Sequence, residues 1–220
     1  MIHPRFVWNR LPALCSSFQI AVAIILTAIV GRGQEARAAN VLWTSLNDGL
    51  WQTPANWSSD PMLPGVTDDV LIDQPGAIAV TLSSGAQSIN KFTSAENLLI
   101  TGAAELLVGA GGGTLDGDLA VVNGRLVSQA GGTLTLNGAV NSGVAALRAQ
   151  SGGTLNAPTL ATINAPSNLP AAYDARGVGS KLDLSSVTTF TGGASTSPTS
   201  LTAFNGGRVE LENVSALVSG

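Results

Sequence analysis

GSKLDLSSVTTF (Gly179–Phe190) aligns without a gap on GGRVELENVSAL (Gly206–Leu217), 27 residues further along the chain. Both fit one template, Gly-x-x-apolar-x-apolar-x-x-apolar-x-x-apolar. Leu182, Leu184, Val187 and Phe190 fill the apolar positions first, then Val209, Leu211, Val214 and Leu217. The first two apolar positions lie two apart, the period that puts side chains on one face of a strand.

The same period recurs outward from this stretch. Val70 and Ile72 alternate, as do Ile78, Val80 and Leu82, and then Leu134 and Leu136. GGTL occurs at Gly112–Leu115, Gly131–Leu134 and Gly152–Leu155, at successive offsets of 19 and 21 along the chain. No stretch after residue 40 sustains a 3.6-residue period, and the repeated Gly-Gly pairs disfavour helix, each internal Gly costing about 1 kcal/mol. Short strands repeating every ~20–27 residues mean that each repeat is one coil of a solenoid. The expected fold is all-β, a right-handed parallel β-helix, with glycines at positive-φ corners and alternate apolar residues stacked inward. An antiparallel sandwich leaves gap-free repetition of a four-apolar template unexplained. Disorder conflicts with the high apolar fraction and low charge.

Three segments follow. Residues 1–39 read as a signal peptide: Arg5 and Arg10, an apolar run from Ile20 to Val30 broken by Thr27, then Ala36-Arg37-Ala38-Ala39 as the cleavage region. That run of 11 residues is shorter than the ~20 needed to cross a bilayer. Cys15 precedes the apolar run and follows Leu14, which excludes lipidation. Residues 40–82 hold Trp43, Trp51 and Trp57 and lack the Gly-Gly repeat, so they are expected to form an aromatic N-terminal cap and the first strands. Residues 83–220 are expected to form the β-helix coils, to be incomplete at the C-terminus and to hold no membrane span. Pro166–Val178 and Gly192–Ser200 are expected as loops.

The cap segment carries a resemblance. Trp43, Gly49-Leu50-Trp51, Ala55-Asn56-Trp57-Ser58, Pro64-Gly65 and Asp68-Asp69-Val70-Leu71-Ile72 make it similar to the opening module of bacterial autotransporter-like and other extracellular repeat proteins. The resemblance covers the N-terminal third by motif and the rest by repeat style. It implies a β-helix on an exported surface protein or adhesin and says little about activity. The outer-membrane barrel of that family has no counterpart here.

Cleavage removes His3 and Cys15, the only residues of their types, which takes disulfides, thiol chemistry, Ser-His-acid triads and His/Cys zinc sites from the mature chain. From Asn40 on there are 6 Lys+Arg against 13 Asp+Glu, and the absence of a basic patch argues against nucleic acid. Arg125, Arg148, Arg176, Lys181 and Arg208 have no acidic partner that the spacing reveals. Asp116 and Asp118, after Gly111-Gly112-Gly113, partly resemble a β-roll calcium motif and are the candidate metal ligands; exposed turn carboxylates are the competing reading. Asp68 and Asp69 read as turn groups ahead of a strand. The expectation is a secreted or cell-surface structural or adhesive module with no catalytic residues and no cofactor, calcium being the one candidate left open. Its expected partners are an extracellular polysaccharide or another copy of the chain. The alternative is a β-helix that binds or cleaves carbohydrate.

Overall fold

A computed structural model describes residues 39–141, 143–166, 168–194 and 196–218, so the expected leader lies outside the described residues, Ala39 excepted. Strand formation follows the alternation. Val70, Ile72, Ile78, Val80, Leu82, Leu134, Leu136, Leu182 and Leu184 are all buried, while the residues between them face outward or are half-buried.

The described residues are all-β, with short parallel strands in three sheets. The largest sheet begins with β1 (Asn40–Leu42), which pairs with β3 (Asp69–Ile72) and through it with β5 (Ala86–Ser94) and β7 (Glu105–Leu115). The register shifts between Ile89 and Lys91, where β7 carries two more residues than β5, and from β7 the sheet divides into two arms. The first arm is β9 (Arg125–Ser128), β11 (Ala146–Gln150), β14 (Ala171–Arg176) and β17 (Thr199–Phe204). The second is β10 (Thr133–Leu136), β12 (Thr154–Asn156), β15 (Lys181–Asp183) and β18 (Arg208–Glu210). A four-stranded sheet joins β2 (Gly49–Leu50), β4 (Ala79–Leu82), β6 (Asn97–Ile100) and β8 (Leu119–Val121). A three-stranded one joins β13 (Thr162–Asn164), β16 (Thr189–Thr191) and β19 (Ala216–Val218). The chain visits second arm, short sheet and first arm in turn, an arrangement consistent with a β-solenoid.

The register gives the length of each coil. Val41, Val70, Phe92, Gly113, Leu134, Leu155, Leu182 and Val209 are successive partners, and the offsets between them along the chain are 29, 22, 21, 21, 21, 27 and 27. The 27-residue offset between the two template stretches is therefore their pairing register, continued at Phe190 and Leu217. The first GGTL step is different. Leu134 pairs with Gly113, and Leu115 pairs with Leu136, so that copy is displaced by two residues from the stack. A shift of two preserves the inward face, which is why sequence spacing alone hid it.

Extra length enters at the corners. Three or four residues join a short-sheet strand to the first arm before β5, β7 and β9, against six before β14 and seven before β17. Pro166–Val178 and Gly192–Ser200 are thus not loops throughout. Ala171–Arg176 is a strand with Tyr173 buried, and Thr199 and Ser200 open β17. Aromatics fill the long coils: Tyr173 and Phe190 meet edge to face at 5.7 Å, and the first and longest coil holds the tryptophans. In the last described coil Val209, Leu211 and Val214 are half-buried and Leu217 is exposed.

Trp43, Trp51 and Trp57 form a buried cluster near the N-terminal end of the described chain. Trp57 meets Trp43 edge-on at 4.9 Å and Trp51 at 4.7 Å, and Trp51 reaches Phe92 at 6.1 Å. The Trp57 indole N–H donates to the Trp51 carbonyl at 2.7 Å. Each ring is at most 2% exposed, which leaves no face on which a sugar can stack.

Candidate functional site: ion pairs and grooves on the outer faces

In a parallel stack, a side chain that points outward has a neighbour of equivalent position one coil away. On the first arm this brings Arg148 opposite Asp174, its register partner on the next coil. Asp174 is 2% exposed, and both its oxygens are engaged by two arginines. Arg148 donates from Nε to Oδ1 at 2.6 Å and from Nη2 to Oδ2 at 3.1 Å; Arg176 does the same at 3.0 and 3.2 Å. A buried carboxylate is tolerated only with such compensation. At the head of the same arm Arg125 pairs with Glu105, its register partner one coil earlier.

The second arm carries a four-membered network. Lys181 Nζ lies 3.1 Å from Asp183 and 3.2 Å from Glu210, and Arg208 holds Glu210 at 2.9 Å. Burial works to raise the Asp183 carboxyl, but hydrogen bonds from the Ser185 hydroxyl and N–H, with Lys181, overcome it and hold it at about 2. The hydrogen bond to Asp183 raises Lys181, against the opposing effect of burial and with help from Glu210. The Tyr173 hydroxyl, which donates to the Val144 carbonyl, is pushed up by burial.

All five basic residues that the sequence left without partners therefore have one. The signal was present within strands as Lys181-Leu-Asp183, Arg208-Val-Glu210 and Asp174-Ala-Arg176, since residues two apart share a face. The cross-coil partners needed the register. Glu96, which the sequence did not single out, is 6% exposed and accepts from the N–H groups of Gln74 at 3.2 Å and Ile78 at 2.9 Å. Gln74 in turn donates to the Trp43 carbonyl at 2.6 Å, which ties the loop to the tryptophan cluster.

Asp116 and Asp118, the candidate calcium ligands, each accept a hydrogen bond from the following coil. Asp116 accepts from the Asn137 amide at 2.6 Å, and Asp118 accepts from the Ala139 N–H at 3.0 Å, each joining one coil to the next. Asn97 binds the Asp118 N–H and Asp48 the Ala79 N–H in the same manner, each at 2.8 Å. Among the described residues no group of three or more His, Cys, Asp or Glu is placed to hold a metal ion. Asp68 accepts from the Gly65 N–H at 2.8 Å in a turn, and Asp69 from the Asn90 amide at 2.6 Å.

Shallow grooves run over the outer surface. One of about 380 Å³ crosses the four-stranded sheet between Asn97, Asp118 and Asn141, where Ala79, Ala120 and Ala139 leave room. Another, of about 320 Å³, lies at the corner beside Glu105 and Arg125. No helix among the described residues is long and apolar enough to cross a membrane. A scan against protein-family models and searches of curated proteins and solved structures give no match to this chain.

Proposed function

We propose that this chain is an exported structural or adhesive module, a right-handed parallel β-helix that displays its outer faces and does no chemistry of its own. The observation that carries the reading is the use made of charge. Five of the six basic residues from Asn40 on are ion-paired to carboxylates within or between coils. Groups so paired tie strand to strand and coil to coil. The right-handed wind follows the handedness of parallel crossovers. The tryptophan cluster serves as the N-terminal cap of the core. The tripartite leader and the resemblance of the Trp43–Ile72 segment to extracellular repeat modules support export to the surface or medium. Bound extracellular polysaccharide is the expected partner.

A cleaving enzyme is the second reading, and the grooves favour it. Hydrolysis of a glycosidic bond needs one carboxyl held protonated near neutral pH beside an ionised one. Asp183, beside the 300 Å³ groove that also touches Asn156 and Pro158, is held the opposite way. The test exposes the secreted full chain to pectin, alginate and neutral glucans, with and without calcium. Binding to cells or polymers without release of reducing ends is expected. Turnover lost on substituting a single Asp or Arg would overturn the reading.

A further inference from the structure

The corner where the coils lengthen forms a notch. Pro170, at the end of the six-residue connection before β14, lines the 320 Å³ cavity together with Asn123 and Arg125, two coils earlier. Its floor is small: Ala146 and Ala172 are register partners at the heads of adjacent strands. From this notch three arginines cross the first arm on a diagonal. Arg125 opens β9, Arg148 stands two positions further along β11, and Arg176 two further along β14. With about 3.3 Å per residue and about 4.8 Å per coil, the backbones of consecutive members lie about 8 Å apart, while the guanidinium groups of Arg148 and Arg176 converge on the Asp174 carboxylate. Phe204 is the register partner of Arg176 on the next coil and is 56% exposed, with Thr202 lining the same hollow.

Charge sets this face apart. It bears Arg125, Arg148 and Arg176 against Glu105 and Asp174, a surplus of one positive charge. The rest of residues 39–218 carries Lys91, Lys181 and Arg208 against 11 carboxylates. A screening length of about 8 Å at physiological salt lets the faces act separately.

We propose that the first arm binds an anionic polysaccharide, laid diagonally from the notch to Phe204 with its carboxylate or sulfate groups on Arg125 at one end and on the Arg148–Arg176 pair at the other. The inference rests on the adhesive reading above and names its partner. Asp174 takes the Nε and Nη2 of both Arg148 and Arg176, so the Nη1 of each is what remains to meet a further oxyanion. Asn123 and Thr202 offer hydrogen bonds to hydroxyls, and the Phe204 ring offers an apolar face to a sugar ring. Two cationic points at the ends of the diagonal, with a net surplus of one charge, suit a sparsely charged chain better than the dense phosphates of nucleic acid.

The test is calorimetric titration of the secreted full chain with sparsely carboxymethylated dextran, sparsely sulfated dextran and uncharged dextran. Binding to at least one charged polymer and none to dextran is expected; which charged polymer binds distinguishes carboxylate from sulfate. Arg125→Gln and Arg176→Gln should each weaken it at least threefold, with a shallower salt dependence, and Lys91→Gln should leave it unchanged. Arg176→Gln keeps Asp174 paired to Arg148, so an unchanged melting temperature separates lost contact from lost fold. Equal losses in all three variants, tight binding to dextran, or no binding to either charged polymer would overturn the inference. Adhesion to cells in that last case would leave the adhesive reading standing, whereas released reducing ends would defeat that reading itself.

Discussion

Gly113 and Gly152 both sit at positive φ, +137° and +82°, but their surroundings differ. A Cβ on Gly113 would lie 1.8 Å from the Phe92 carbonyl oxygen, whereas one on Gly152 would meet nothing nearer than 3.7 Å. Gly113→Ala should therefore cost about 2–4 kcal/mol. Gly152→Ala should cost only the left-handed penalty of about 1–2 kcal/mol. Urea denaturation midpoints check both. Leu184→Asp puts a charge into the closed core and should cost several kcal/mol, while Leu211→Asp, on the half-buried last coil, should cost less and Thr135→Ser almost nothing. Equal effects at the three positions would contradict the inward register. Alternation made Leu182, Leu184 and their like legible as core in the sequence alone. The Arg148–Asp174 pair was not legible, because its members sit a full coil apart and only the coil length brings them together.

Within the second arm, the Lys181–Asp183–Glu210–Arg208 network makes stability depend on pH. Asp183 is held at about 2 against an ordinary 3.8, so its contribution is present above the ordinary value and is lost as pH falls from about 4 through 2. With its side chain 22% exposed, that contribution is about 1–2 kcal/mol. Asp183→Asn should flatten this part of the acid limb, read as thermal midpoint against pH. An unchanged limb would show that the network does not form. Lys181, shifted upward, acts at the other end, its contribution fading as pH rises beyond its ordinary 10.5. The tryptophan cluster is a second element with a direct readout. Its emission should be blue-shifted in the folded protein and move red on unfolding, and Trp57→Ala, which removes two edge-on ring contacts, should cost about 3–5 kcal/mol. The three tryptophans and their prolines marked this segment in the sequence. The Glu96–Gln74–Trp43 tie did not show, since nothing in the spacing of a Glu and a Gln 22 residues apart announces a shared loop.

Across the whole 39–218 unit, one variable connects sequence to architecture: the number of residues per coil. The short coils in the middle of the stack close largely on Leu, Ile and Val, while the longer ones at its two ends take Tyr173, Phe190 and the tryptophans to fill a wider core. The repeats revealed 21 and 27 as periods. They did not reveal which corner holds the extra residues, because corner composition varies freely while inward positions do not. The secreted protein should give a β-dominated far-ultraviolet spectrum, and its intact mass should show loss of residues 1–38 or 1–39; retained Met1 on membrane-bound material would contradict export. Parallel stacking in register sets distances that spin labels can read. In a Cys15→Ser background, labels at Thr133 and Thr154 occupy adjacent coils about 4.8 Å apart, and labels at Thr133 and Arg208 are three coils, about 14 Å, apart. Strong dipolar broadening for the first pair and much weaker broadening for the second is the predicted result. Equal broadening in both pairs, or none in the first, would contradict the stack.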